Sequence, residues 1–202
     1  IVMRQSRTFI PTTREVPSSA EATSHKLLIK AGMVKQVSAG VYTYLPLATR
    51  VIQKIEKVIR EEHSKIGAAE LLMPILQSDE YWKKSGRWDK MGEELIRVTD
   101  RKKAGYALSP TAEEIISQTV NNMVTSYKQL PMNLYQIQTK FRDEIRPRLG
   151  LLRCKEFIMK DAYSFHDSPE SLRETYKDYY QAYSNIFDRF ELKYRAVHAA
   201  SG

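Results

Sequence analysis

The sequence predicts an α+β fold in which a largely antiparallel sheet is flanked by helices. Amphipathic helical segments alternate with short runs rich in Tyr, Ile, Thr and Phe, which are residue types that strands favour. Short turns join several of these runs as hairpins, which pair strands antiparallel. The glycine patterns of Rossmann and P-loop sites, Gly-x-Gly-x-x-Gly and Gly-x-x-x-x-Gly-Lys-Ser/Thr, do not occur in the sequence. Those two kinds of nucleotide site are therefore disfavoured.

The N-terminal half is predicted to contain three helices and one strand. The helices span residues 18–30, 46–65 and 78–84, and the strand spans residues 69–73. Ser18 or Ser19 is the expected N-cap of the first helix, which Gly32 ends. The second helix ends before Gly67, and its apolar residues follow helical spacing. These residues are Leu47, Val51, Ile55 and Val58, and Glu62 continues the same spacing. The strand is expected to be buried and to end at Pro74.

The C-terminal half is predicted to alternate strands with helices. In chain order these are strands at 95–99 and 106–109, a helix at 111–128, strands at 134–141 and 153–160, a helix at 168–190 and a strand at 192–198. Pro110 precedes the first of these helices, and Glu113 and Glu114 lie in its first turn, where the helix dipole favours carboxylates. Ser168 is the expected N-cap of the second helix, with Pro169 at its first position.

Length, charge and cysteine content limit the class of protein. The chain has 202 residues, enough for one large or two small domains. Its apolar content is 42%, and no apolar run approaches the roughly 20 residues of a membrane span. The single cysteine, Cys154, excludes an internal disulfide framework and fits a cytoplasmic location. The net charge of +8 fits a polyanionic partner and a solvated Lys-rich surface equally well.

The segment 141–161 carries most of the functional information. It places four arginines around a turn that contains proline and glycine: Arg142, Arg146, Arg148 and Arg153. On strands, Arg142 and Glu144 share one face, and Arg153 and Phe157 share another, because side chains alternate with period two. Arginines can bind a polyphosphate bidentately, and a nearby aromatic ring can stack on a base. Solvated arginines with Phe157 in the core are the alternative, but like charges so close repel one another unless an anion lies among them.

The same segment resembles motif 2 of the class II aminoacyl-tRNA synthetases, in which Phe-Arg-x-Glu precedes a loop and Arg-x-x-x-Phe. The longer strings at 141–148 and 156–166 resemble the bacterial-type prolyl-tRNA synthetases in particular, as do residues 5–14 and 40–50. The resemblance covers essentially the whole chain. It implies ATP-dependent activation of proline to prolyl-adenylate and transfer of the proline to tRNA(Pro).

The resemblance implies a role for each residue of the nucleotide site. Arg142 would be the catalytic residue and would hold the α-phosphate of ATP and the proline carboxylate. Glu144 would accept from the adenine amino group, Arg153 would reach the γ-phosphate, and Phe157 would stack on adenine. The proline carboxylate must attack an anionic phosphate, so cations must offset the repulsion. The resemblance also implies Mg²⁺ bound with ATP and no dedicated protein metal site. The scattered histidines and the single cysteine form no zinc pattern.

The resemblance also implies a proline site on two segments. Thr111 and Glu113 match a Thr-x-Glu motif that receives the imino group of the amino acid, and a carboxylate suits that cation. By motif strength alone the segment is an ordinary helix N-terminus. Met159, Asp161 and Tyr163 alternate beyond motif 2 and would line a small proline pocket, although alternating strand residues are usually core.

Residues 46–74 resemble motif 1, which forms a twofold dimer interface in this family. The resemblance therefore implies a homodimer with Pro74 at the interface. An amphipathic helix packed on its own sheet would show the same periodicity. His63 is expected on the solvated face of this helix.

The resemblance implies one partial catalytic domain over residues 1–202, with motif 1 at about 46–74 and motif 2 at about 134–161. The third class II motif, the editing insertion and the anticodon-binding domain have no counterpart in the sequence. This piece alone is therefore expected to bind ATP weakly and to activate proline poorly or not at all. A non-catalytic module that binds nucleic acid or a partner, and a sister synthetase for another amino acid, remain open. The complete set of motif residues favours an enzyme.

Overall fold

Three small sheets and six α-helices form the described part of the chain. The computed structural model describes residues 4–18 and 20–197. The helices are α1 (Thr23–Lys30), α2 (Pro46–Lys65), α3 (Asp79–Lys84), α4 (Arg87–Lys90), α5 (Glu113–Met123) and α6 (Pro169–Arg189). The strands are β1 (Val34–Ser38), β2 (Val41–Tyr44), β3 (Ala69–Glu70), β4 (Leu76–Ser78), β5 (Arg97–Thr99), β6 (Gly105–Leu108), β7 (Met132–Phe141) and β8 (Glu156–Phe165). The predicted α+β class is confirmed.

Strands β7 and β8 form the long hairpin at the centre of the molecule. They pair antiparallel over their whole length, from Met132 opposite Phe165 to Phe141 opposite Glu156. Strand β3 joins the other edge of β7 and is parallel to it. The remaining sheets, β1–β2 and β4–β6–β5, are antiparallel. Antiparallel pairing therefore dominates, as predicted, but it is divided among separate sheets.

The register of this hairpin divides its side chains between two faces. The front face carries Leu134, Gln136, Gln138, Lys140, Phe157, Met159, Asp161 and Tyr163. The back face carries Tyr135, Ile137, Thr139, Ile158, Lys160, Ala162 and Ser164. Helix α5 and residues 71–73 cover part of the front face through a buried apolar cluster. That cluster contains Met73, Ala112, Ile116 and Val120.

Helices α2 and α6 cover the back face, and a buried carboxylate joins them. Glu62 is fully buried and forms ion pairs with Lys65 and Arg189, each at 2.7 Å. The amide nitrogen of Asn185 donates to the same carboxylate at 3.1 Å. The hydrogen bonds from Lys65, Arg189 and Asn185 lower the pKa of Glu62 to about 2. Glu62 therefore fastens the C-terminal end of α2 to α6.

His63 is fully buried, so its predicted solvated position is wrong. Its ring lies 4.6 Å from that of Tyr135 and 5.7 Å from that of Tyr179 (centroid to centroid). Helix α2 is enclosed by the sheet on one side and by α6 on another, so a face that periodicity assigns to solvent becomes a second buried face. In contrast, Val51 and Ile55 of the predicted apolar face are 43% and 38% exposed.

Several predicted elements differ at their ends. Helix α1 begins at Thr23 with Ala22 as N-cap, so Ser18 does not cap it, and Ser19 lies outside the described residues. Helix α5 ends at Met123, because the side chain of Gln129 accepts from the backbone of residues 125 and 126 and stabilises a separate turn. Helices α2 and α3 match their predicted bounds closely, and α6 has the predicted cap at Ser168.

Two predicted strands are also shorter or missing. Strand β3 contains only two exposed residues, because the chain then leaves β7 and Met73 N–H bonds to the side chain of Gln136 at 3.2 Å. Residues 192–197 form no strand. Instead, the Leu192 N–H donates to Phe187 O at the C-terminal end of α6. The ring of Tyr194 packs on that of Phe187, with the two centroids 5.1 Å apart. His198 lies outside the described residues.

No helix in the described ranges combines the length and apolar character needed to cross a membrane.

Candidate active site

Arg142 lies where the two halves of the predicted site meet. It follows the last residue of β7, and its backbone N–H donates to Lys155 O at 2.9 Å. Its guanidinium donates to Pro110 O at 3.4 Å, directly before Thr111. The guanidinium carbon is 5.5 Å from the centroid of the Phe157 ring. With its side chain 39% exposed, Arg142 can still bind a ligand.

A tight loop fixes the position of the second arginine. Leu149 and Gly150 both have positive φ angles, +60° and +63°, a conformation that suits glycine and strains leucine. A Cβ at Gly150 would lie 2.8 Å from the Cβ of His25, so only glycine fits against α1. Backbone bridging between Arg148 and Arg153 then closes the loop, and β8 begins only at Glu156. The predicted strand start at Arg153 is therefore wrong.

Glu144 and Arg153 form an ion pair, with Arg153 Nε 2.7 Å from the Glu144 carboxylate. The Arg153 guanidinium holds the pKa of Glu144 below its usual range, and Glu144 raises the pKa of Arg153. Both residues line a cavity of about 450 Å³ together with Arg142 and Phe157, and α2 supplies its opposite wall. The volume suits a small-molecule ligand. The structure therefore brings all four predicted nucleotide-site residues to one cavity.

Carboxylates of the protein itself accompany the arginine cluster. Besides the Glu144 pair, Lys155 lies 2.5 Å from Asp143, and Arg142 Nε lies 3.9 Å from Glu94. The expectation that such a cluster requires a bound anion is therefore too strong, because these carboxylates offset much of the repulsion. The support for a nucleotide site comes instead from the arrangement around Arg142.

Glu113 and Thr111 lie together at the start of α5. The Thr111 hydroxyl donates to the Glu113 carboxylate. Arg87 NH1 lies 3.2 Å from Glu113 and 3.0 Å from Glu114. The side chain of Glu113 is 53% exposed and borders a cavity of about 480 Å³, whereas that of Glu114 is 2% exposed. Arg87 was not predicted, since it is distant in sequence and no motif marks it.

Asp161 and Tyr163 belong to a hydrogen-bonded network on the front face. One Asp161 oxygen accepts from Tyr163 OH at 2.7 Å and from Gln136 Nε2 at 2.9 Å. The Tyr163 oxygen accepts from Ala112 N–H at 3.0 Å, at the N-terminus of α5. Burial, and next the hydrogen bond to Asp161, raise the pKa of Tyr163. The network thus connects β8 to the segment that carries Thr111 and Glu113.

Lys140 and Gln136 are the residues of this network that sequence reasoning missed. Lys140 is fully buried, and its Nζ lies 2.9 Å from the second Asp161 oxygen. Both residues alternate with Gln138 along a strand, so three polar side chains fall on one face. That spacing was a usable signal, because polar residues at every second position predict a polar sheet face. Met159 shares this face and is partly buried.

The remaining titratable groups suggest neither a thiol nucleophile nor a metal centre. Cys154 is buried, and burial raises the pKa of its thiol, as expected for an inert cysteine. Among residues 4–18 and 20–197, no cluster of three or more His, Cys, Asp or Glu side chains could hold a metal ion.

Comparison with known sequences finds one family and many close relatives. The family described as "tRNA synthetase class II core domain (G, H, P, S and T)" matches residues 96–202. A protein from Lysinibacillus sphaericus (strain C3-41), named proline–tRNA ligase, is 62% identical over 99% of this chain. A protein of the same name from Geobacillus sp. (strain WCH70) is 61% identical over 99% of this chain. The chain spans 35% of the length of each of these relatives.

Solved structures show a similar fold. Giardia lamblia prolyl-tRNA synthetase in complex with prolyl-adenylate aligns with a TM-score of 0.75 and 25% identity. The alignment covers 81% of this chain and 34% of that one. Prolyl-tRNA synthetase from Cryptosporidium parvum, complexed with L-proline and AMP, aligns over 81% of this chain and 33% of its own with a TM-score of 0.71. At 18% identity, the second likeness concerns the fold alone.

Proposed function

Because this chain belongs to the family of class II tRNA synthetase core domains, we propose that it is the N-terminal part of the catalytic domain of a prolyl-tRNA synthetase. In this proposal the whole protein activates proline with ATP, forms prolyl-adenylate and transfers the proline to tRNA(Pro). The relatives named proline–tRNA ligase support this choice of amino acid. So does the Giardia lamblia neighbour, which was solved with prolyl-adenylate.

The position of Arg142 is the observation that carries the proposal. Its guanidinium contacts Pro110 O on the side of Thr111 and lies over Phe157 on the side of the 450 Å³ cavity. A cation in this position can contact the carboxylate of proline and the α-phosphate of ATP at the same time. It would reduce the repulsion between two anions and align the attack in line with the leaving pyrophosphate.

The other residues have complementary roles in this proposal. Glu113, with Thr111, receives the cationic imino group of proline. The ion pair between Arg87 and Glu113 must weaken when proline binds. Met159, Asp161 and Tyr163 border the proline ring. On the nucleotide side Phe157 stacks on adenine. Glu144 accepts from its amino group, and Arg153 contacts the γ-phosphate once their mutual ion pair opens.

The chemistry needs no nucleophile from the protein. A carboxylate oxygen of proline attacks the α-phosphorus, the bond from that phosphorus to the bridging oxygen breaks, and pyrophosphate leaves with the electron pair. Mg²⁺ would enter as the ATP complex, held by the phosphates, and would neutralise their charge.

Proline-dependent exchange of pyrophosphate into ATP tests this function. We expect the complete gene product to catalyse the exchange with proline, and this chain alone to do so poorly or not at all. Exchange that depends on threonine, serine or histidine instead would identify a sister synthetase. A complete gene product that binds nucleic acid but shows no exchange would identify a binding module.

We also propose that the protein is a cytoplasmic homodimer with Pro74 at the interface. Around exposed Pro74, the neighbouring Leu72 and Leu76 are 75% and 49% exposed. Apolar side chains grouped in this way favour a protein interface. Sedimentation of the wild type and of Leu72→Asp tests this. We expect a dimer for the wild type and a monomer for the variant, and a monomeric wild type would refute the proposal.

A further inference from the structure

Lys140, the last but one residue of β7, is unusual for a buried position. Its side chain is 0% exposed, and that of Asp161 on the neighbouring strand β8 is 10% exposed. Their Nζ and Oδ1 atoms lie 2.9 Å apart, yet neither atom makes a hydrogen bond of acceptable geometry with any described residue. The contact is therefore an ion pair without a directed hydrogen bond. Burying a charge in this way is costly, and an apolar pair of similar size would often be as stable.

The two oxygens of Asp161 have separate functions in the network. Oδ1 faces the Lys140 ammonium, while Oδ2 accepts from Tyr163 OH at 2.7 Å and from Gln136 Nε2 at 2.9 Å. Because Tyr163 donates to Asp161, its oxygen is free to accept from Ala112 N–H at 3.0 Å. The amide groups of Ala112 and Gln136 can only donate, so the bond whose direction depends on Asp161 being an acceptor is that of the Tyr163 hydroxyl.

We propose that Lys140 is a positioning residue for the proline site, an inference that rests on the proposed function. It holds the Asp161 carboxylate in place and, through Tyr163, fixes the Ala112 amide and with it the orientation of Thr111 and Glu113. Lys140 also neutralises Asp161, so that Asp161 does not compete with Glu113 for the cationic imino group of proline. Lys140 itself contacts neither substrate.

The charge of Lys140, rather than its bulk, is what this role requires. Lys160 lies on the opposite face of the same hairpin and contacts the Tyr183 ring at 4.1 Å instead of a carboxylate of another strand. Of these two lysines, Lys140 is the one that pairs with a carboxylate, Asp161, whose hydrogen bonds continue through Tyr163 to α5. A neutral side chain at residue 140 would fill the same space and leave Asp161 without its counterion.

Kinetics of the complete gene product with Lys140→Met test the inference. We expect the KM for proline to rise about tenfold or more, while the KM for ATP changes by less than about threefold. Lys57→Met is the matched control, since Lys57 also lies near a carboxylate, Glu61 at 3.9 Å, but is 77% exposed. That control should match the wild type in both constants.

The double variant Lys140→Met with Asp161→Asn separates an effect on proline binding from an effect on stability. It also provides the test if Lys140→Met alone does not fold. It contains no unpaired buried charge, so we expect its unfolding temperature to recover. Its KM for proline should remain raised by about tenfold, because an amide no longer fixes the direction of the Tyr163 bond.

Two results would overturn the inference. One is a KM for proline within about twofold of the wild type in an active Lys140→Met protein. The other is recovery of the unfolding temperature and of the KM together in the double variant, as a purely structural role requires. A wild-type protein without proline-dependent exchange would instead refute the proposed function, so the two failures are distinguishable.

Discussion

The two faces of the β7–β8 hairpin use the same residue types in different ways. Each face carries a lysine, with Lys140 fully buried on the front face and Lys160 partly buried on the back face. On the front face Lys140 pairs with Asp161 at 2.9 Å, and the pair continues through hydrogen bonds to α5. On the back face Lys160 donates to Tyr183 OH at 2.5 Å beneath α6. Burial lowers the pKa of Lys160 to about 8.

This difference separates function from stability within one hairpin. The front-face polar groups connect through Tyr163 and Ala112 to the segment that carries Glu113, which borders the 480 Å³ cavity. Polar groups on the back face connect helices to the sheet, and the aromatic rings around Lys160 provide no counterion for its charge. Lys160 and Ile158 of the back face also border the 450 Å³ cavity. We therefore expect changes to the front-face network to alter the kinetics with proline, and changes beneath α6 to alter unfolding.

Arg142→Ala should give the largest effect. We expect proline-dependent exchange to fall about 100–1,000-fold, because the variant loses the cation that both reacting anions share. The unfolding temperature should stay close to that of the wild type, since the side chain is 39% exposed. Arg173→Ala is the control: Arg173 is 70% exposed on α6 and pairs with Glu170 at 2.9 Å. A fall in proline-dependent exchange of less than tenfold for Arg142→Ala would contradict this role of Arg142.

Glu113→Gln should give the next largest effect. Losing a charge-assisted bond of about 1.5–3 kcal/mol should raise the KM for proline about 10–100-fold. The neighbouring Glu114→Gln provides the contrast, because Glu114 pairs with the same Arg87 but its side chain is only 2% exposed. That variant should lower the unfolding temperature. Kinetics and thermal unfolding of both variants check the prediction, and equal proline KM values for the two would contradict it.

Lys160→Met should give the smallest effect, on stability. The lysine has a lower pKa when folded, about 8, than its ordinary value of 10.5. Between those values the unfolded chain binds more protons, so this group makes stability rise with pH from about 8 upward. Below pH 8 its burial cost is fully present, and its removal should stabilise the protein by about 1–2 kcal/mol at pH 7.

Urea unfolding of both proteins at pH 7, 8 and 9 measures this effect. The gap between Lys160→Met and the wild type should narrow as the pH rises. Burial also raises the pKa of Tyr179 and Tyr183, so their ionisation begins above this window, and burial lowers the pKa of His63, which titrates below it. A gap that is constant across the three pH values would refute the role of Lys160.

The site was more predictable than the network that supports it. Arg142, Glu144, Arg153 and Phe157 lie in one short segment, so a motif could identify them together, and one cavity gathers them. Their individual roles remain predictions. Arg87 and Lys140 were not predicted, because their partners are distant in sequence or across a hairpin. No local sequence pattern indicates such contacts.

Features that short-range forces control could be read from the residues alone. Pro46 and Gly67 bound α2, Ser168 caps α6, and alternation along β7 and β8 assigns each side chain to a face. Caps, φ preferences and periodicity act within a few residues of the chain. Packing between distant segments, in contrast, buries His63 and ends β3 early. The same packing brings Lys140 to Asp161. These outcomes could not be predicted from local patterns, because they depend on which distant surfaces pack together.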